Sequence, residues 1–300
     1  MRAAHLPVTN NYPGGFWKDY GYNWFSSSLR ALRRERGAAL PEERCAVAIM
    51  AKASVAGTVK TRLVPPLTLE EAAELNTCCL RDVAANIAAA ARQAPIQGFA
   101  AYYPLGSEPF FYDLLPVGFK LLAPKEPTIG RSLFHAARDL FAAGYSSVCL
   151  VNADSPTLPT EFLVETVLRL RESGDRVLLG PAADGGYYLI GLKHFHRRLF
   201  EEIDWSTDRV FRQTLARAGE IGVTVAPLPE WYDVDDEATL AMLAREIGPC
   251  RSAANPYLNG YPAPSTSAFL EKLATGNGGI GRLFGRAGPP PFPPPPQREG

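Results

Sequence analysis

The sequence lacks an excess of charge of either sign. Lysine and arginine together number 31, aspartate and glutamate 31, and the formal net charge is zero. No long-range field therefore draws this chain to nucleic acid or to an anionic membrane, although a local cationic pocket is compatible with that balance. No apolar run reaches the roughly 18 residues that a membrane span needs. The opening MRAAHLPVTN has no apolar core of the kind a secretory signal carries. The five cysteines, Cys45, Cys78, Cys79, Cys149 and Cys250, are odd in number and show no CxxC spacing. That argues against a disulfide framework or a zinc knuckle and fits a reducing, cytoplasmic location. Cys45 and Cys149 lie in apolar runs and read as small hydrophobes. The loop AKASVAGTVKTRL carries neither Walker A nor the GxGxxG fingerprint, and the GxSxG elbow and HExxH are missing from the chain. His194 and His196 stand beside Arg197 and Arg198 without a metal-ligand pattern, and His5 and His135 stand alone.

What is present is ordinary globular composition, 46% hydrophobic and 21% charged over 300 residues. Composition divides the chain into four stretches. Residues 1–44 mix aromatics with glycine and then turn basic (LRALRRERG), which reads as a poorly ordered or docking arm. Residues 45–250 read as one folded domain, followed by a short extension over 251–275. Residues 276–300 are rich in glycine and proline, with seven prolines between Pro289 and Pro296, and cannot build a packed core. The polyproline piece is either a solvated tail or a ligand for an aromatic groove.

Within the central stretch, buried-strand runs alternate with helical periodicity. Cys45–Ala51, Gly98–Tyr103, Lys120–Ala123, Ser147–Ala153, Arg176–Leu179, Tyr187–Leu192 and Val223–Leu228 read as strands. Thr68–Gln93, Phe110–Leu115, Gly130–Ala143, Pro159–Ser173, Thr207–Ile221 and Asp236–Ile247 read as helices, the first opened by a Thr68/Glu71 capping box. This alternation predicts an α/β fold: a mostly parallel sheet with helices on both faces. Ligands in such folds sit at the carboxyl ends of strands, so the loops there carry the functional reading.

The first loop, AKASVAGTVKTRL, brings Lys52, Lys60 and Arg62 within eleven residues of the end of a buried strand. Arginine grips phosphate oxygens bidentately and lysine adds a point charge, so these three are candidate phosphate ligands, or else plain surface charge. In NADSPTLP, Asp154 follows an apolar strand and is either a divalent-metal ligand bridging to phosphates or, with Ser155, a helix cap. Asn152 falls on the opposite face if the strand runs that far. In GPAADGGYYLIGL, the Asp184-Gly185-Gly186 turn either lets a substrate approach the backbone, with Asp184 orienting its hydroxyl and Tyr187 beside it, or is a plain hairpin. In IDWSTDRVF, Trp205 stacks on a ring or packs, and Ser206 or Thr207 caps the next helix. In WYDVDDEATL, Asp233 is a candidate second metal ligand and Asp235 a metal ligand or cap.

These motifs together resemble the DUF2064 family of GT-A-fold, nucleotide-diphospho-sugar transferase-like proteins, in family order over about residues 45–247. The resemblance implies a GT-A-like, Rossmann-like sheet and a nucleotide-sugar donor. By position it implies Lys60 and Arg62 on the nucleotide diphosphate and Asp154 at the metal position, with catalytic duty shared by Asp154 and Asp184. It places Gly185 and Gly186 on the acceptor or sugar side and a late metal-facing carboxylate at Asp233 or Asp235. Asn152 stands where the first aspartate of a DxD motif would be, so Mg2+ or Mn2+ either is not needed or takes its second ligand from Asp233 or Asp235. KTRL also resembles guanylyltransferases that activate phospholactate. The expected donor is accordingly a nucleotide sugar or an NTP, with the acceptor open and no nucleic-acid partner. A non-catalytic nucleotide-binding protein, with the terminal arms as docking handles, is the reading from a different class.

Overall fold

The structure, a computed structural model, describes residues 44–122, 128–248 and 260–276. The expected amino-terminal arm, the polyproline tail, Cys250 and most of the expected extension over 251–259 lie outside the described residues.

The core is one seven-stranded sheet: β1 (Cys45–Lys52), β2 (Ile96–Tyr103), β3 (Lys120–Leu122), β4 (Ser147–Val151), β5 (Arg176–Pro181), β6 (Tyr187–Leu192) and β7 (Thr224–Pro227). Its spatial order is β3-β2-β1-β4-β6-β5-β7. Every neighbouring pair is parallel except those of β6, which runs against both β4 and β5. The continuous apolar run of β1 is explained by burial on both faces. Val47 and Ile49 join the core under one helical layer, while Ala46 and Ala48 join the core under the other.

The first layer contains α1 (Leu69–Ala90), α2 (Glu108–Leu114), α4 (Thr160–Arg171), α6 (Glu237–Glu246) and α7 (Pro264–Thr275). The second contains α3 (Ile129–Ala142) and α5 (Val210–Glu220). The α1 capping box forms as expected, with Thr68 accepting from the Glu71 amide and Glu71 from the Thr68 amide. Four boundaries and caps differ from the sequence reading. The α4 N-cap is Pro159, so neither Asp154 nor Ser155 caps that helix. Helix α5 begins at Val210 after Arg209, and Thr207 instead donates to the Asp204 carbonyl. Asp236, not Asp235, caps α6 through the Thr239 amide. Strand β4 ends at Val151, so Asn152 turns to the same side as Asp154. In the first three cases a side chain expected at a cap is committed elsewhere, and several of these side chains reach the site below.

The register brings four loops to one sheet edge. Ile49 pairs with Val151, so the loops leaving β1 and β4 emerge together. Val151 pairs with Leu189, and because β6 is reversed the turn that precedes it lies at that same edge. Leu179 pairs with Pro227, which carries the segment after β7 there as well. A bridge between Ala182 and Trp231 and a hydrogen bond from the Val234 amide to the Asp154 carbonyl, 2.8 Å, hold that segment against the sheet. No helix among the described residues is long and apolar enough to cross a membrane.

The last helix is anchored by one buried carboxylate. Asp82 in α1, 1% exposed, accepts from the Ser265 amide at 3.0 Å and the Thr266 amide at 2.7 Å, capping α7 from outside. Removing it strands the buried Thr266 amide, at about 1–3 kcal/mol, and leaves the half-buried Ser265 amide without its acceptor. Asp82→Ala is expected to lower the melting temperature by at least several degrees, at about 2–4 °C per kcal/mol. Differential scanning calorimetry checks this; an unchanged melting temperature would contradict the anchoring.

Candidate active site

At the shared sheet edge lies a cleft of about 570 Å³. Its charged lining is one-sided: Asp154, Asp184, Asp208, Asp233 and Asp235 against a single cation, Arg62. Lys60 sits beneath them. Its ammonium lies 2.6 Å from Asp154 Oδ1 and donates to the Val234 carbonyl at 2.8 Å, with its side chain 2% exposed. Lys60 reaches that position through a left-handed backbone (φ 47°), unusual for a residue with a side chain. Burial by itself would lower its pKa, but the charges of Asp154 and Asp235 and the hydrogen bond to Asp154 outweigh that and raise it, so it stays a cation.

Arg62, in the 3-10 turn Thr61–Leu63, pairs with Asp235 at 2.7 Å and is 72% exposed. Lys52 is not part of this cluster; its ammonium donates to the Thr58 carbonyl, 2.7 Å, and steadies the loop after β1. Of the three expected phosphate-binding cations, then, only Arg62 faces the cleft. Lys60 braces Asp154 and Lys52 lies outside the lining.

Asp233 Oδ1 accepts from Asn152 Nδ2 and from Ser155 Oγ, both at 2.6 Å. Burial pushes its pKa up to about 7, with the charges of Asp154 and Asp184 adding to the rise. Burial and Asp154 also raise Asp235. Asn152 Oδ1 is buried with no hydrogen-bond partner among the described residues. Sequence reasoning gave Asn152 no ligand role, took Ser155 only as a helix cap and did not single out Asp208. The two-residue spacing of Asn152 and Asp154 was the available signal for the first.

On the other wall, Asp184 Oδ1 accepts from the Gly186 amide at 2.9 Å, which leaves Oδ2 without a partner among the described residues. The turn joins the antiparallel pair β5 and β6, as the hairpin reading expects, and its Asp184 and Gly186 also line the cleft. Gly185, at φ +88°, packs so close to the Asp208 backbone that a Cβ would overlap it, and its carbonyl accepts from the Phe211 amide at 3.0 Å. Trp205 stands edge-on to Tyr187 with ring centres 6.4 Å apart. It fills the space left by Gly130, where a Cβ would overlap the indole. Ser206, in a left-handed conformation (φ 63°), and Thr207 complete that wall. Trp205 thus both packs and lines the cleft.

A hard divalent cation suits this chemistry. The donors are all oxygens, the carboxylates outnumber the cations, and a buried Asn152 oxygen is unused. Among the described residues no three His, Cys, Asp or Glu side chains form a ready metal-holding group. Asp154, Asp233 and Asp235 therefore do not form a ready three-carboxylate group, and the expectation was of Asp154 with only one of the other two. Mg2+ is commonly held by one or two carboxylates plus substrate phosphates, and that is the arrangement these residues fit. The four described cysteines, Cys45, Cys78, Cys79 and Cys149, are buried and free, and burial pushes the Cys45 and Cys79 thiols up to about 12, so none offers a thiolate.

A family model described as "Uncharacterized protein conserved in bacteria (DUF2064)" matches residues 84–207. The matched stretch holds the loops around Asp154, Asp184 and Trp205, while Lys60, Arg62, Asp233 and Asp235 lie beyond it. A solved structure of a candidate nucleotide-diphospho-sugar transferase from Desulfovibrio desulfuricans is similar over 77% of this chain and 94% of its own, at 28% identity and a TM-score of 0.64. A cytidylyltransferase from Leptospira borgpetersenii is 14% identical with a TM-score of 0.42, covering 68% of this chain and 86% of its own, a likeness too distant to argue from. Among curated proteins, a candidate protein-methionine-sulfoxide reductase subunit, YedZ1, from Azospira oryzae is 71% identical over 23 residues. That stretch is 8% of this chain, and the chain spans only 9% of that relative's length.

The raised pKa of Asp233 fixes the sign of a pH effect. Its carboxyl holds a proton more tightly folded than unfolded, so stability falls as pH climbs from about 4 to 7, and the full penalty stands above that. A shift of about three units corresponds to about 4 kcal/mol at pH 8 and less than half of that at pH 5. Asp233→Asn keeps the shape and the accepting oxygen. Without metal, it is expected to melt on the order of 10 °C above the parent at pH 8 and much closer to it at pH 5. A difference that does not vary with pH would contradict the assigned burial of charge.

Proposed function

We propose that this chain is a metal-assisted transferase that moves a sugar from a nucleotide-diphospho-sugar to an acceptor. The observation that carries the reading is the charge arrangement of the cleft: clustered aspartates with one reachable arginine at the carboxyl ends of β1 and β4. A diphosphate could not approach so many carboxylates on Arg62 alone. A divalent cation shared between aspartates and phosphates reconciles the two. The likeness to the Desulfovibrio desulfuricans structure supports the nucleotide-sugar class of donor.

Asp154 and Asp233, with the Asn152 oxygen beside them, would hold the ion, which when bound neutralises charge developing on the departing diphosphate. Lys60 fixes Asp154 in position. Arg62 exchanges its exposed pairing with Asp235, worth about 0–1 kcal/mol, for a bidentate grip on phosphate. Asp184 Oδ2 is the available base. As the acceptor oxygen bonds to the anomeric carbon, the bond from that carbon to the diphosphate breaks with its electron pair on the leaving group. The acceptor proton passes to Asp184.

The released product tests this. With UDP-, GDP-, dTDP- and ADP-sugars and Mn2+ or Mg2+, one donor is expected to give nucleoside diphosphate, and EDTA is expected to stop it. Asp154→Asn is expected to lower the rate by about 10²–10³, the scale of one lost charge-stabilising group, with the circular dichroism spectrum retained. Pyrophosphate released from an NTP would make the chain a nucleotidyltransferase. Undiminished turnover in Asp154→Asn would overturn the site assignment.

A further inference from the structure

The wall formed by the Asp184 turn, the Trp205 loop and the start of α3 differs chemically from the Lys60–Arg62 side. It is built rather than incidental. Gly185 admits the Asp208 backbone, Gly130 admits the Trp205 indole, and the Phe211 amide bonds the turn to the loop. Ile129 and Leu133 from α3 extend its apolar surface. Its charged residues are both acidic, Asp184 and Asp208, and its remaining polar side chains, Ser206, Thr207 and Tyr187, carry neutral hydroxyls. Among the described residues, the cleft's one lining cation is Arg62, which belongs to the opposite side and is paired with Asp235.

We infer that the acceptor is not an anion: it is a hydroxyl- or amine-bearing molecule with an apolar face, carrying no phosphate or carboxylate. The inference rests on the transferase reading above and deepens it. Aromatic and aliphatic surface takes the acceptor's apolar face, and the two carboxylates accept hydrogen bonds from its O–H or N–H groups. A phosphorylated or carboxylated acceptor would bring like charge against Asp184 and Asp208 with no cation to meet it. A protonated amine would gain from both carboxylates and from the indole face. Transfer itself proceeds through an acceptor hydroxyl or neutral amine, whose proton leaves to Asp184 as the new bond to the anomeric carbon forms.

Small probes matched in size test the charge rule. Glycerol, 3-aminopropane-1,2-diol, glycerate and glycerol 3-phosphate are compared by saturation-transfer NMR titration on the full chain loaded with Mg2+ and the nucleoside diphosphate of the active donor. Glycerol and the amino-diol are expected to bind at least about tenfold more tightly than the two anions. Asp208→Lys, at an exposed position, is expected to reverse that order by giving glycerol 3-phosphate a partner. Equal or tighter binding of either anion by the parent protein would overturn the inference. So would binding of neither glycerol nor the amino-diol. The same titration without metal or nucleotide separates the two readings, because the wall keeps its preference there. Failure to load the nucleoside diphosphate would count against the donor reading alone.

Discussion

The buried contact between Lys60 and Asp154 is the constraint on which the rest of the site depends. It joins the loop after β1 to the loop after β4, and the same ammonium bonds the Val234 carbonyl in the segment after β7. Three stretches far apart in sequence are thereby pinned by one side chain that is 2% exposed. A buried lysine needs a charged partner and hydrogen-bond acceptors, and here it has both. The left-handed backbone at Lys60 is a local strain that these contacts hold in place. With Lys60 fixed, Asp154 faces the cleft with a defined orientation and Arg62, two residues on, reaches Asp235.

The charge logic of the cleft follows. Lys60 neutralises one carboxylate from below and Arg62 another from the rim, which leaves the remaining aspartates facing one another. Asp233 responds with a pKa near 7, driven first by burial and then by its acidic neighbours. An ensemble of carboxylates held this close is unfavourable until a cation arrives, and it is arranged by the sheet rather than by local sequence. The reversed strand β6 contributes directly, because its direction puts the Asp184 turn at the same edge as the loops of the parallel strands. The opposite wall, with Trp205 and Tyr187, gives the cleft an apolar half.

Much of the fold was legible in the chain. Runs such as CAVAIMA and VCLV are apolar at every position because both sheet faces are covered, and the Thr68/Glu71 spacing announced its capping box. The loops after β1 and β4 and before β6 were legible as well, since each adjoins a buried strand, whereas the segment with Asp233 and Asp235 follows the half-exposed strand β7. The partners of their side chains were not. Lys60 and Lys52 look alike in sequence, yet one is buried against a carboxylate and the other braces a loop carbonyl. Asp235 and Asp236 are adjacent, and only the geometry of the α6 terminus decides which caps and which turns to Arg62. Asn152 seemed to face away because the run SVCLVNA does not show that pairing as a named strand stops at Val151. These are tertiary choices, made by burial and long-range register rather than by local propensity.

The central claim is that Lys60 is a buried structural countercharge of the site and not a phosphate ligand. Equilibrium denaturant unfolding of Lys60→Met, without nucleotide or metal, tests it most directly. Breaking a fully buried pair costs about 3–5 kcal/mol. Because Asp154 is 34% exposed, the expected loss here is about 2–4 kcal/mol. A variant as stable as the parent would contradict the account and return Lys60 to the role of a free cation awaiting phosphate.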